Sequence, residues 1–190
     1  MRTQLTSTRP AVLVLDMQSV FIGADGPFDN PAVVGAVNTF LPRARGAGLP
    51  VIVSCYTLRD DLSDVGLLAG QPFIEDMRRG APRAAVDPRV EVADSDLVCH
   101  HNRPSAFFRS DLEHVLKTLG SRAIILTGVS INNAVSSTAR DAFARDIPAV
   151  VVKECVAPAP WEEHVDVYLS VVDTWGAEVA GADEVLTALN

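Results

Sequence analysis

Four short runs of aliphatic residues constrain this fold more than any other feature of the sequence. They cover residues 11–15, 51–54, 123–126 and 149–152, and each is bounded by Pro, Gly or a charged residue. Continuous rather than alternating apolar character is typical of strands that are buried on both faces of a parallel sheet. The runs therefore predict such a sheet, with helices covering both of its faces.

Helical patterns lie between these runs. Residues 31–48 place apolar side chains at helical spacing, with Asn30 as the predicted N-cap and Pro31 in the first turn. A second helix is predicted over 110–119, with Ser110 as N-cap and Glu113 as its N3 partner, and a third over 132–146. Further predicted elements are strands at 96–99 and 178–180, a short helix from Asp183, and loops at 21–30 and 81–88.

Strand and helix alternate along the whole chain without a linker or a repeat. Residues 1–190 are therefore predicted to form one α/β domain with a doubly wound, mostly parallel sheet. In such sheets ligands bind beyond the carboxyl ends of the strands, near the point where the strand order reverses. That rule directs attention to the residues that follow each predicted strand.

Composition narrows the classes of partner. The net charge of −8 disfavours nucleic acid and anionic membrane surfaces, and no apolar stretch reaches the length of about 18 residues that spans a bilayer. The three cysteines are an odd number without CxxC spacing, which favours reduced thiols and a cytoplasmic location. A small-molecule substrate is the expected partner.

Asp16 is the first candidate catalytic residue, because it follows an apolar strand directly. Such a position raises the pKa of a carboxyl group and suits a general acid or base, although a turn or N-cap aspartate is the alternative. His100 and His101 follow another strand, and neighbouring residues of a strand face opposite ways, so they are not expected to form a metal pair. A catalytic and a structural role are both open for either histidine.

Residues 128–134 form a predicted strand-to-helix turn. The N–H groups at the start of its helix would bind a carbonyl or anionic oxygen. Ala134 occupies the place from which a nucleophile would act, and alanine has no group that can attack a substrate.

Three blocks of sequence resemble the isochorismatase-like superfamily of cysteine hydrolases. They are Asp16-Met17-Gln18 with Phe21, then residues 103–107, then residues 128–142, and the resemblance runs in order from about residue 10 to residue 189. It implies a three-layer α/β sandwich around a sheet of about six strands, assembled as a homodimer or a higher homo-oligomer.

The resemblance assigns roles residue by residue. Asp16 matches the family aspartate, whereas His101 stands where the family has lysine and Ala134 stands where it has cysteine. Family members with glycine at the cysteine position cleave a vinyl ether, with the aspartate as general acid. We therefore expect Asp16 to perform acid/base catalysis without a cysteine nucleophile, with His101 as its charged or hydrogen-bonding partner. The predicted substrate-binding residues are Gln18, Phe21, Tyr56, Arg59, Arg103, Val129, Ser130, Asn133 and Trp161.

Metal and thiol chemistry are not expected. The nicotinamidase branch of the family carries an Asp-x-His metal motif after the second strand, and residues 55–61 contain no histidine, so neither a metal nor another cofactor is predicted. Cys99 is expected to be a buried, inert thiol. Cys155 is expected nearer the rim of the pocket, with a packing role favoured over a reactive one. Subunit packing is the alternative role for Trp161.

Two alternatives to a cysteine-free hydrolase stay open. One is a catalytically inactive binding or scaffold protein of the same fold, because two of the three usual catalytic positions are replaced. The other is a Cys-to-Ala variant of a C–N amide hydrolase. The additional change at His101 counts against that second alternative, because a single engineered substitution would not explain both.

Overall fold

The computed structural model describes residues 5–157 and 165–189, and this part of the chain is built on a six-stranded sheet. The strands are β1 (Ala11–Leu15), β2 (Val51–Tyr56), β3 (Leu97–His101), β4 (Ile124–Val129), β5 (Ala149–Ala157) and β6 (Glu178–Ala180). They pair in the order β3-β2-β1-β4-β5-β6, and every pair is parallel. The predicted α/β fold with a doubly wound sheet is confirmed.

Helices cover both faces of the sheet. They are α1 (Leu5–Thr8), α2 (Ser19–Ile22), α3 (Pro31–Gly46), α4 (Leu112–Leu119), α5 (Ser136–Phe143), α6 (Val165–Trp175) and α7 (Ala182–Thr187). One core contains side chains of α3 and α7, and the other contains side chains of α4, α5 and α6. None of the helices in the described ranges is long and apolar enough to cross a membrane.

Strand β1 shows why an uninterrupted apolar run was needed. Val12 and Val14 pack into the core on the α3 side, whereas Leu13 and Leu15 pack into the core on the α4 side. All of these side chains are fully buried. Because successive residues of a strand face opposite sides, a central strand with helices on both sides buries every side chain and favours apolar residues throughout.

The predicted helix starts are confirmed in one case and wrong in another. Asn30 caps α3, where its side-chain oxygen accepts a hydrogen bond from the Val33 N–H at 3.3 Å, and Pro31 occupies the first turn. Helix α4, in contrast, begins at Leu112 rather than after Ser110. The Ser110 hydroxyl still accepts a hydrogen bond from the Leu112 N–H at 3.3 Å, but it donates to the carbonyl of Ala106 at 2.5 Å and forms no capping box with Glu113.

Several element boundaries also differ from the predictions. Strand β3 runs on through His101, and β5 runs on to Ala157, so His100, His101 and Cys155 lie within strands rather than after them. Helix α6 was not predicted. Residues 57–96 connect β2 to β3 through three 3₁₀ turns, at Gly66–Leu68, Glu75–Met77 and Pro82–Ala84.

The strand order reverses between β1 and β4, which lie side by side at the centre of the sheet. These two strands pack very closely at their carboxyl ends. Gly128 has φ +103°, and a Cβ atom there would lie 2.1 Å from the carbonyl oxygen of Leu15. Asp16 follows at φ +54°, a left-handed conformation that aspartate tolerates better than most residues. The chain therefore turns sharply at the place where the switch-point rule locates a ligand site.

Candidate active site

A cavity of about 600 Å³ opens at the carboxyl ends of the central strands. Its volume lies within the range of about 300–1,000 Å³ that is typical of small-molecule sites. Most of the lining is apolar, and Asp16 and Arg103 are its only ionisable acidic and basic side chains among the described residues. The full lining is Asp16, Phe21, Pro27, Phe28, Tyr56, Gly66, Leu67, Leu68, Phe73, Arg103, Pro104, Val129, Ser130, Asn133 and Ala134.

Asp16 and His101 form a buried pair at this cavity. The Nε2 atom of His101 lies 2.9 Å from Oδ1 of Asp16, and the two side chains are 0% and 6% exposed. Because the strand order is β3-β2-β1, this contact extends across β2. The imidazole stacks on the ring of Tyr56 from that strand, with the ring centroids 5.2 Å apart. Asp16 lines the cavity, and His101 lies behind it.

The second nitrogen of His101 fixes the protonation pattern of the pair. Nδ1 lies 2.6 Å from the carbonyl oxygen of Arg103. A carbonyl oxygen only accepts hydrogen bonds, so Nδ1 carries a hydrogen in every protonation state. When the imidazole is neutral, Nε2 is therefore an acceptor, and the 2.9 Å contact requires a protonated Asp16. When Asp16 is ionised, the same contact requires an imidazolium. In both cases one proton lies between the two side chains.

Burial and charge act together on this pair. Burial raises the pKa of Asp16 above its ordinary 3.8, although His101 opposes that shift. Burial alone would lower the pKa of His101, but the charge of Asp16 and the hydrogen bonds to Asp16 and Arg103 together raise it above 6.5. Both shifts favour the state in which one proton is shared between the two side chains.

Arg103 is positioned by the long connection between β2 and β3. Its guanidinium donates to the carbonyl oxygens of Asp64, at 3.1 Å, and of Asn102. Asp64 is itself held because its carboxylate accepts a hydrogen bond from the side-chain amide of Asn102 at 2.9 Å. In the described ranges no carboxylate forms an ion pair with Arg103. The Asp64 carboxylate lies near enough to feel the Arg103 charge, but the guanidinium bonds only to the Asp64 backbone carbonyl and lines the cavity, where it is able to bind an anionic ligand.

The turn after β4 forms the opposite side of the cavity. The peptide bond between Val129 and Ser130 is cis, and residues Ile131–Val135 form a single π-helical turn that leads into α5. Ala134 is 2% exposed and contributes only a methyl group to the cavity. Neighbouring Ser130 and Asn133 supply the polar groups of this side.

The structure brings together most, but not all, of the side chains predicted to contact substrate. Phe21, Tyr56, Arg103, Val129, Ser130 and Asn133 line the cavity together with Asp16 and Ala134. Gln18 does not, because its amide exchanges hydrogen bonds with the Tyr56 backbone and donates to the Ala84 carbonyl, so that it links three segments. Arg59 does not line the cavity either, because its side chain is exposed and forms an ion pair with Asp61. Trp161 lies outside the described residues.

Part of the cavity wall was missed by sequence reasoning. Pro27 and Phe28 come from the loop after α2, and Leu67, Leu68 and Phe73 come from the connection between β2 and β3. These segments have no helical or strand periodicity. Their only signal was the presence of large apolar side chains outside the predicted helices and strands, in the predicted loop at 21–30 and in residues 57–80, for which no element was predicted.

The three thiols lie away from the cavity lining and are buried. Burial is the main cause that raises the pKa of Cys55 and Cys155 to about 12, and it also raises that of Cys99. Cys155 was expected near the pocket rim, but it lies inside β5 and packs in the core on the α3 side. None of these thiols is placed or ionised as a nucleophile would be.

Metal-binding side chains do not gather at this site. Within residues 5–157 and 165–189, no three His, Cys, Asp or Glu side chains are arranged so that they could hold a metal ion. His100, the neighbour of His101, instead shares a hydrogen bond with the hydroxyl of Thr57, with 3.1 Å between Nδ1 and Oγ1.

Comparison with known proteins gives a consistent result. The sequence model of the isochorismatase domain matches residues 10–184. Maleamate amidohydrolase from Pseudomonas putida is 27% identical over 180 residues, which are 92% of this chain and 84% of that protein. N-carbamoylsarcosine amidase from an Arthrobacter species is 29% identical over 156 residues, which are 78% of this chain but only 59% of that longer protein.

Solved structures agree on the fold. A cysteine hydrolase from Pseudomonas syringae pv. phaseolicola superposes with a TM-score of 0.91, over 99% of this chain and 95% of that one, at 24% sequence identity. An isochorismatase family protein from Burkholderia thailandensis superposes with a TM-score of 0.80 at 26% identity, over 96% of each chain.

Proposed function

Because this chain belongs to the isochorismatase family, we propose that it is a hydrolase of a small organic molecule whose central acid/base group is Asp16 and which uses no cysteine nucleophile. The observation that carries the proposal is the buried Asp16–His101 pair at the cavity, with 2.9 Å between Nε2 and Oδ1. Ala134 and the three buried thiols leave Asp16 as the described group best placed for the chemistry.

The shared proton supports activation of water at neutral pH. In the Asp16 carboxylate form, the imidazolium of His101 donates to Oδ1, and Oδ2 is able to take a proton from water. The resulting hydroxide attacks a carbonyl carbon of the substrate. The C–N or C–O bond then breaks as Asp16 returns the proton to the leaving atom. Asp16 ends as it began, and the net change is the addition of water across the broken bond.

Protonation of a vinyl ether needs one proton more. Asp16 would donate from Oδ2 to the enol-ether carbon, and the carboxylate left behind needs an imidazolium at Oδ1. Both groups must therefore be protonated before the step. Water then captures the oxocarbenium ion and returns a proton to Asp16, and the resulting hemiketal collapses to a carbonyl compound and an alcohol as its C–O bond breaks. A lysine would supply the positive charge throughout the neutral range, whereas His101 supplies it only below its raised pKa.

Arg103 and the turn after β4 complete the proposed site. Arg103 lies at the cavity without a described carboxylate partner, which suits it to bind a carboxylate of the substrate. Ser130 and Asn133 offer polar contacts to the carbonyl or ether oxygen. The amidases among the relatives support an amide or ureide as the reacting group.

A turnover screen tests the proposal. Small amides, ureides and vinyl ethers that carry a carboxylate are offered to the wild-type protein, with Asp16→Asn as the inactive control. We expect hydrolysis of at least one class above that control, and no loss of activity after treatment with iodoacetamide, because all three thiols are buried and un-ionised. Loss of activity on iodoacetamide treatment that bound substrate prevents would refute a cysteine-free mechanism.

The inactive-homologue alternative is favoured by one observation, the methyl group of Ala134 where the family resemblance places a thiol. It predicts no turnover above the control for any compound of the screen. The amidase-variant alternative predicts that Ala134→Cys creates amidase activity that iodoacetamide abolishes. Continued inactivity of Ala134→Cys toward amides would exclude it.

A further inference from the structure

The aromatic side chains of the cavity are arranged around one ring. Phe21 lies 6.2 Å from both Phe28 and Tyr56, measured between ring centroids. Tyr56 in turn stacks on His101 at 5.2 Å. Phe73 adds a fourth aromatic side chain to the lining. We call Phe21, Phe28, Tyr56 and Phe73 the aromatic wall. The wall leads from the catalytic pair toward the loop after α2.

The composition of the cavity restricts what it can bind. Apart from Asp16 and Arg103, its described lining is neutral, and most of it is hydrocarbon or aromatic. A small polar substrate would make few contacts with this apolar lining. A volume of about 600 Å³ accommodates a molecule considerably larger than a short aliphatic amide.

Aromatic rings also favour a particular shape of ligand. Ring pairs with centroids about 4.5–7 Å apart attract each other beyond the effect of buried area, and a flat ring reaches this distance more readily than a puckered one. The Phe21 pairs already lie at such distances. A planar ring beside Phe21 would extend the same arrangement.

Arg103 defines the other end of the ligand. Its guanidinium is held by two backbone carbonyls, and it faces the cavity without a described carboxylate partner. We propose that the substrate class is a planar organic acid, with an aromatic or conjugated ring packed on the aromatic wall and its carboxylate on Arg103. This inference rests on the proposed function in using the same cavity, and it adds the chemical class of the substrate.

Binding without turnover tests this substrate class. The probes are E-cinnamate, E-3-cyclohexylacrylate, which has a puckered ring of the same carbon count, and the neutral cinnamyl alcohol. Their affinities for the full chain are measured by isothermal titration calorimetry. We expect E-cinnamate to bind about 2- to 10-fold more tightly than the cyclohexyl acid. It should bind about 10- to 100-fold more tightly than the alcohol, because a charged hydrogen bond to Arg103 is lost.

Substitutions in the cavity show which residues cause the expected differences in affinity among the three probes. Phe28→Leu, in the partly buried loop, and Phe21→Leu should each reduce the preference for E-cinnamate over the cyclohexyl acid. Arg103→Gln should weaken both acids equally and leave the alcohol unchanged. Phe143→Leu is the matched control, because Phe143 is exposed on α5 and does not line the cavity. Thermal unfolding shows whether each variant folds. If Phe21→Leu does not fold, Phe28→Leu still tests the contribution of the aromatic wall.

Equal or tighter binding of the cyclohexyl acid, or no binding of any acid, would overturn the inference. The outcomes also separate it from the proposed function. Tight binding of E-cinnamate together with failure of the turnover screen would support the ligand class and refute the hydrolase. Turnover of short aliphatic amides with no binding of E-cinnamate would do the reverse.

Discussion

Replacement of Asp16 by asparagine removes the proton-transfer group while it preserves the surroundings. Asparagine tolerates the left-handed backbone at φ +54° about as well as aspartate does. Its side-chain amide is able to donate to Nε2 of neutral His101, since Nδ1 keeps its hydrogen on the Arg103 carbonyl. The variant thus imitates the protonated acid in shape, and we expect it to fold and to bind substrate like the wild type.

The expected loss is in kcat. General acid/base catalysis contributes about 10²- to 10⁴-fold, which corresponds to about 3–5 kcal/mol of transition-state stabilisation. Because the hydrogen bonds of the ground state persist, KM should change little. The assay is turnover of a substrate from the screen, with calorimetric binding and thermal unfolding measured in parallel. Asp61→Asn is the control, because Asp61 is exposed, forms an ion pair with Arg59 and does not line the cavity. A variant Asp16→Asn that keeps more than about a tenth of the wild-type kcat would refute the role of Asp16.

Two further predictions concern pH and backbone geometry. Burial lowers the pKa of His101, but Asp16 and the Arg103 carbonyl together raise it above 6.5. Because the folded protein then binds the proton more tightly than the unfolded chain, the wild-type free energy of unfolding should fall as pH rises through that raised pKa. In Asp16→Asn burial, the largest single cause, lowers the pKa of His101 and is opposed only by the hydrogen bond to the Arg103 carbonyl. Stability should then instead be lost as pH falls below 6.5; urea denaturation on both sides of that pH checks this, and the same pH dependence in both proteins would contradict it. Gly128→Ala should lower the free energy of unfolding by at least about 1–3 kcal/mol, because of its positive φ and the clash with Leu15. Gly35→Ala, where an added methyl group meets nothing within 4 Å, should raise it by about 0.5–1 kcal/mol, and a similar effect of both substitutions would refute the argument.

The sequence was sufficient for the sheet and for the position of Asp16. A run of five consecutive apolar residues between Pro10 and Asp16 is too short for a typical helix and fits a strand buried on both faces, as β1 is. The polar residue that ends such a run at the centre of the sheet must lie at the carboxyl edge. These conclusions depend on local patterns, which a single sequence contains.

The partnership of Asp16 and His101 could not be derived from residue patterns alone. The two residues are far apart in sequence, and the contact crosses β2, so it depends on strand order and on the stacking of His101 on Tyr56. The part of the cavity wall that loops supply was equally inaccessible. The loop after α2 is joined to the connection between β2 and β3 by the ion pair of Asp25 with Arg83, 58 residues apart, and such a pair leaves no periodic signal.

The histidine at position 101 changes the chemistry more than the missing thiol does. A lysine beside Asp16 would hold one fixed positive charge, and the carboxyl group would then titrate as a single site. Here two buried groups titrate together, and the carbonyl of Arg103 decides which nitrogen takes part. In the proposed mechanisms the pair with one proton activates water, and the pair with two protons donates to carbon. The pH profile of kcat/KM therefore distinguishes the two reaction classes: a bell-shaped profile, with activity lost on both sides, indicates C–N or C–O hydrolysis through water, and activity that keeps rising toward acid indicates cleavage of a vinyl ether.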